Sequence, residues 1–408
     1  MTSPDHEVSP VQSPISKVEL VALLAMLTAT VAFSIDAMLP ALPAIGAEIS
    51  PVDPNKAQLV IAAFVFGMGF GTLFTGPLSD AYGRLPVATG GAAVYVASAV
   101  FAATTQDLEA LLIARALQGI GAAGPRIVAV AIVRDLFSGR QMAQIVSFIM
   151  IVFTLVPVLA PTMGAIILWN FGWRSIFLSF GVFSLISVMW LLLRQPETLP
   201  PSARRPFRTA TILQGVREVL QHRQVVIAIL VQTLIFAVLF SVLMTSQAIF
   251  DVVLGSAETF PFWFGLVAAI SASGSLLNAT IVVQLGMRTV VKWALIMQLS
   301  ASSIVLLLLV SGALDGAALF PVTIAWLVSI FYLAGLGIGN MNAIAMEPLG
   351  HIAGLASSII SAAATIFSSL IAVPIGQAFN GTLEPLLTGV FLLCALALVL
   401  LLEIRDSN

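Results

Sequence analysis

Twelve long runs of apolar residues, separated by short polar breaks, dominate the chain. They fall at 18–46, 57–79, 86–105, 108–133, 143–168 and 173–193, then at 225–250, 260–283, 290–311, 318–345, 355–380 and 384–403. Each is close to the ~20 residues a helix needs to cross ~30 Å of hydrocarbon at ~1.5 Å per residue. Backbone groups cannot stay unpaired in lipid, so such runs must be helices. The pattern predicts an all-α membrane protein with twelve transmembrane helices, six on each side of a polar segment.

That segment, 194–224, carries Arg194, Arg204, Arg205, Arg208, Arg217 and Arg223 together with Pro196, Pro200, Pro201 and Pro206. It reads as a cytoplasmic linker between an N-terminal six-helix bundle (18–193) and a C-terminal one (225–403). A polar, disordered cytoplasmic N-terminus (1–17) and a short cytoplasmic tail (404–408) complete the division. With both termini inside, 13 of the 17 basic residues fall on the cytoplasmic side, Arg405 among them. Lys56 and Arg174 alone fall outside, the asymmetry expected of an inserted protein. A weak internal repeat pairs Leu78, Gly83 and Arg84 with Leu285, Gly286 and Arg288, as expected of two pseudo-symmetric halves.

Composition narrows the class further. The 408 residues are 59% hydrophobic and 9% charged, against about 25% charged in soluble domains. Too few charges exist to cover a water-soluble body, so the outside faces lipid. A net charge of -2 and the absence of a basic patch outside the loops exclude nucleic acid as a partner. The single cysteine, Cys394, forms no internal disulfide and no metal spacing. The first run lacks a cleavage pattern and is expected to stay as a helix.

Charge inside the membrane marks candidate function. Asp36 lies in the first run, ~15 Å from its outer end, and Arg115 lies ~10 Å below the same surface in the fourth. Similar depth makes an ion pair between them feasible. A buried carboxylate beside an arginine can alternate between ionised and protonated forms, as proton coupling requires. Arg126, eleven residues and ~16 Å further along the same face, is a candidate for attracting anionic or polar substrate groups. Phe33, Met38, Met150 and Phe153 are candidates for an adaptable cavity wall. In the second half Gln232, Thr245, Gln247, Asn278, Asn340 and Asn342 are neutral polar groups that either line a cavity, as expected for Gln247 and Asn342, or bond helix to helix.

The energy source follows by elimination. None of the three lysines follows a glycine, so no phosphate-binding loop is present. The expected driving force is a proton gradient, with no cofactor, no metal, no catalytic residue and no enzymatic activity. None of the three histidines falls mid-helix, which argues against a histidine relay.

At this point the sequence resembles the major facilitator superfamily, and its first half the bicyclomycin/chloramphenicol resistance group of twelve-helix drug–proton antiporters. Gly76-Pro77-Leu78-Ser79-Asp80-Ala81-Tyr82-Gly83-Arg84 resembles the superfamily's loop between its second and third helices, with Ala81 and Leu85 where basic residues are usual. Ala114-Arg115-Ala116-Leu117-Gln118-Gly119 is similar to the group's embedded-arginine helix. Asp36 with Leu39-Pro40-Ala41-Leu42-Pro43 resembles its acid-plus-two-prolines segment. Pro157, Ala160, Pro161, Gly164 and Ala165 resemble the antiporter helix, with alanine at two glycine positions. The resemblance implies that Asp80 holds the start of the eleventh helix and that Arg84 meets Asp135 in a gating latch.

The expected function is proton-coupled efflux of small amphipathic compounds or drugs by a monomer in a bacterial inner membrane, conferring antibiotic resistance. Protonation of Asp36 would compete with substrate for overlapping states of one site. The alternative is uptake of a small metabolite on the same fold.

Overall fold

A computed structural model describes residues 14–314 and 316–404. The expected disordered N-terminus, apart from residues 14–17, and Arg405 with the rest of the tail lie outside the described residues. The described chain is all α-helical, with no strand. Six spanning segments precede the linker: α1 (Lys17–Asp36) continuing through α2 (Leu42–Ile49), then α3 (Leu59–Tyr82), α4 (Arg84–Thr104), α5 (Leu108–Leu136), α6 (Gly139–Phe171) and α7 (Arg174–Arg194). The linker holds α8 (Thr209–Gln221). Beyond it lie α9 (Arg223–Ala248), α10 (Phe260–Leu285), α11 (Met287–Val310), α12 (Gly316–Met346), α13 (Ala353–Gln377) and α14 (Glu384–Leu402).

Each of the twelve apolar runs becomes a pass, with ends within a few residues of expectation. The near-continuous stretch Gly316–Gln377 has 62 residues. At ~1.5 Å per residue it would be three bilayers long. A 3-10 turn at Glu347–Ile352, non-helical at Leu349, folds it into α12 and α13.

Two differences from the sequence reading have clear causes. The first run is not one helix: Pro40 and Pro43 have no N–H to donate to the carbonyls of residues 36 and 39, and α1 stops at Asp36. The linker is not featureless: Ile212, Gly215 and Val219 recur at helical spacing, and α8 buries that face against α13 and α9.

Within the first half α5 packs against α3 and α4, and α1 against α6. Within the second, α9 packs against α12, α13 and α14. The halves meet along α3–α13 and α6–α10. α1 and α9 are the most enclosed passes, whereas α6 turns most of its surface outward, exposing Leu155, Leu159, Met163 and Ile166.

Ion pairs identify the two ends of the bundle. Arg194 binds Glu19 at 2.7 Å and Arg223 binds Glu403 at 2.7 Å, both beside the linker. At the far end Glu48 pairs with Arg174 at 2.7 Å and accepts from Trp173 Nε1 at 2.8 Å. There the halves are tied directly: Asn55 Nδ2 donates to the Phe379 carbonyl at 2.8 Å, and Gln377 Nε2 donates to the Asn55 carbonyl at 2.9 Å.

Candidate functional site

The break after Asp36 organises the first site. A helix end leaves carbonyls without intrahelical partners. Arg115 Nη2 donates to the Ser34 carbonyl at 3.0 Å and Nε to the Val60 carbonyl at 3.2 Å. Its Nη1 donates to Gln118 Oε1 at 2.7 Å. The guanidinium carbon lies 4.3 Å from the centre of the Phe64 ring, a favourable stacking geometry for a desolvated arginine. One fully buried side chain (0% exposed) therefore joins α1, α3 and α5. Ser34 donates to the Thr30 carbonyl at 2.6 Å and is hydrogen-bonded to the Tyr95 hydroxyl of α4.

Asp36 is buried (5% exposed), and among the described residues its side chain makes no hydrogen bond or ion pair. The expected Asp36–Arg115 ion pair does not form. The Ser34 carbonyl at the helix break, the Val60 carbonyl of α3 and Gln118 satisfy the arginine instead. Asp36 is left as an uncompensated buried carboxyl, costly in its charged form unless a proton neutralises it.

α6 packs directly on this break. A methyl group built on Gly164 would sit 1.9 Å from the carbonyl oxygen of Ala37, the residue after Asp36. Only glycine permits that approach. Pro161 is buried and Pro157 half-buried, one and two turns nearer the linker. Their missing N–H groups leave gaps in the helix ladder where α6 can bend.

The second site is the loop between α3 and α4. Gly83 has φ +107°, a left-handed conformation that glycine adopts without strain. The turn delivers Arg84 to Asp135, with Nε–Oδ2 at 2.8 Å and Nη2–Oδ1 at 3.1 Å. Nη1 donates to Asp80 Oδ1 at 2.6 Å and to Ser79 Oγ at 2.8 Å. Asp80 thus turns to Arg84 and is not seen bonded to the start of α13 (the eleventh pass), as the family resemblance implied. Gly76 lies against Ser358 of α13. Sequence reading missed Glu197, whose carboxylate accepts from the backbone N–H of Arg84 (2.9 Å) and Leu85 (3.0 Å). A carboxylate there caps α4 at the positive end of its dipole. The available signal was an acid amid the arginines of the linker.

The third site is a cavity of about 410 Å³ between the halves, on the linker side. Arg126, Met150 and Phe153 line it, facing Ser357, Ser358 and Ser361 of α13. Four other residues expected there are elsewhere. Phe33 packs edge-on to Phe180 at 5.3 Å and beside Phe183 at 5.2 Å, inside the first bundle. Met38 is fully buried in the same core. Gln247 and Asn342 are on α9 and α12, each with a buried, unbonded side-chain oxygen, and neither borders the cavity. Asn340 instead bonds Asn278 at 2.7 Å, tying α12 to α10. The cavity meets α1 at Thr28, eight residues or ~12 Å from Asp36. Asp36 itself does not border the cavity.

Comparison with known proteins places the chain in a transporter family. The Major Facilitator Superfamily model matches residues 24–373. The chain is 31% identical over 385 residues to Multidrug resistance protein MdtL of Klebsiella pneumoniae, covering 92% of each protein. It is 27% identical over 347 residues to a Bicyclomycin resistance protein homolog of Haemophilus influenzae, covering 83% of this chain and 85% of that one. Among solved structures, a D-xylose-proton symporter superposes with a TM-score of 0.75 at 17% identity, covering 96% and 99% of the two chains. At that identity the likeness is one of fold. With the match running from α1 into α13, this multi-pass membrane protein is a transporter of the Major Facilitator Superfamily.

Proposed function

We propose that the chain is a proton-coupled efflux transporter for small amphipathic compounds, working by alternating access in a bacterial inner membrane with the linker face cytoplasmic. The observation that carries this is Asp36, a buried carboxyl at a helix break with no partner among the described residues. Protonation and deprotonation change the cost of burying it, so its proton occupancy and the packing around it are linked. The link to the cavity runs through α6. Gly164 rests on Ala37, and Phe153 and Met150 of the same helix line the cavity, the former ~16 Å away. Pro157 and Pro161 lie between them. A proton arriving at Asp36 relaxes the break, shifts α6 and alters the cavity wall. The names of the relatives support drug compounds as cargo, and the arginine bias supports the orientation.

The test has two parts. Cells expressing the wild type tolerate at least some compounds of a toxic panel better than cells expressing Asp36→Asn. In proteoliposomes, an imposed pH difference drives solute movement by the wild type and not by the variant. Solute flux indifferent both to the pH difference and to Asp36→Asn would sink the coupling. Accumulation of compounds inside cells, reversed by a protonophore, would identify uptake instead.

A further inference from the structure

The cavity between the halves carries a charge imbalance. Four charged residues border it: Asp80, Arg84, Arg126 and Arg134. Asp80 and Arg84 are paired with each other at 2.6 Å, and Arg84 is held further by Asp135. Arg126 and Arg134 have no carboxylate partner among the described residues. The polar contact of Arg126 is the Met68 sulfur at 3.8 Å, a weak acceptor. The two guanidiniums lie eight residues apart on α5, ~12 Å along its axis, one deep and one at the mouth.

The facing wall adds positive potential. α13 begins at Ala353, its N-cap Ile352 offers no side-chain acceptor, and Asp80 is turned away to Arg84. The first turn of α13, residues 353–355, borders the cavity, followed by the hydroxyls of Ser357 and Ser361. A helix N-terminus favours negative charge. Two free guanidiniums face it, Arg126 partly desolvated and Arg134 exposed at the mouth, and together they make a cationic occupant unfavourable and a neutral one indifferent. Met150 and Phe153 supply an apolar surface beside them, and about 410 Å³ is ample for a drug-sized molecule.

We infer that the cavity takes an amphipathic organic anion, its negative group between Arg126, Arg134 and the start of α13, its apolar body against Met150 and Phe153. This rests on the reading that the cavity carries substrate. It names the chemical class that the reading leaves open.

The test is equilibrium binding to the full chain in phosphatidylcholine nanodiscs, with no pH gradient. Three probes share one aromatic body: naphthalene-2-sulfonate, naphthalene-2-methanol and 2-naphthylmethylammonium. The sulfonate binds roughly 10- to 100-fold more tightly than the other two, the scale of one or two charge-assisted hydrogen bonds, and the preference weakens as salt rises. Arg126→Gln and Arg134→Gln each shrink the preference, and Arg126→Lys keeps part of it. Arg134 is exposed, so its variant decides the matter if Arg126→Gln does not fold. An alcohol or ammonium probe that binds as tightly as the sulfonate overturns the inference, as does a preference that survives both glutamine variants. In phosphatidylglycerol nanodiscs, an unchanged sulfonate affinity supports a soluble anion. Displacement by the lipid supports the same chemistry filled from the bilayer. Because the assay contains no gradient, a lost anion preference leaves proton coupling standing, and absent coupling leaves the preference standing.

Discussion

Gly164→Ala is the sharpest probe of the proposed link between Asp36 and the cavity. The new methyl would lie 1.9, 2.7 and 2.9 Å from the O, C and Cα of Ala37. Carbon and oxygen not bonded to one another need more than 3 Å, so α6 must move away from α1 by about 1.3 Å. Backbone atoms cannot rotate aside, which places the cost near the top of the 1–3 kcal/mol range for overpacking, at about 3 kcal/mol. Spread over two states of the transporter, that is a factor of up to ~150 in their balance. The assay is solute flux in proteoliposomes, with folded yield followed by size-exclusion profile. The control is Gly90→Ala on α4, where the methyl would meet nothing within 4 Å and gains the same helix propensity, about 1 kcal/mol. Gly164→Ala is expected to lose most coupled flux while remaining folded, and Gly90→Ala to keep it. Adding Ala37→Gly restores nothing, because the clashing atoms are main-chain. Equal flux in the two single variants, or rescue by Ala37→Gly, would show that the contact does not transmit.

Three further outcomes follow from the geometry. Arg84→Lys keeps the charge but loses the two-pronged bond to Asp135, at a cost of about 2 kcal/mol, and Arg84→Ala costs more by stranding a part-buried carboxylate; thermal melting of the purified variants orders them. Glu197→Gln weakens the cap on α4 by about 1 kcal/mol, a fall in melting temperature of ~2 °C, with the latch residues unchanged. Arg115→Lys cannot reach the Ser34 carbonyl, the Val60 carbonyl and Gln118 together, and melts at least ~2 kcal/mol less stable than the wild type.

The passes were legible because lipid imposes a length and forbids unpaired backbone, so each run of about twenty apolar residues had one fate. The Arg84–Asp135 contact was legible only through the family resemblance carried by Gly76 to Arg84; residue spacing alone did not pair the two charges. The partner of Arg115 was not legible. Depth along a helix can be read from residue spacing, but the Ser34 carbonyl at the α1 break and the Val60 carbonyl of α3 compete for the guanidinium, and that competition depends on tertiary approach. Phe33 and Met38 were misplaced for a related reason: a helix apolar on all sides has no periodicity to say which face meets a cavity. α8 was hidden behind the prolines and arginines of the linker that precede it, although Ile212, Gly215 and Val219 carried its buried stripe.

The clasp at the far end sets a scale for the whole cycle. Asn55 joins the halves there through two hydrogen bonds between uncharged amides, together worth about 2 kcal/mol. Such a fastening biases a resting molecule toward one posture by a factor of about 30. One proton falling through a single pH unit releases ~1.4 kcal/mol, and one charge crossing 100 mV releases ~2.3 kcal/mol. Under the proposed proton coupling, this neutral fastening is commensurate with a single unit of that drive, so a far-end door held by it would stay shut at idle and still yield to one proton.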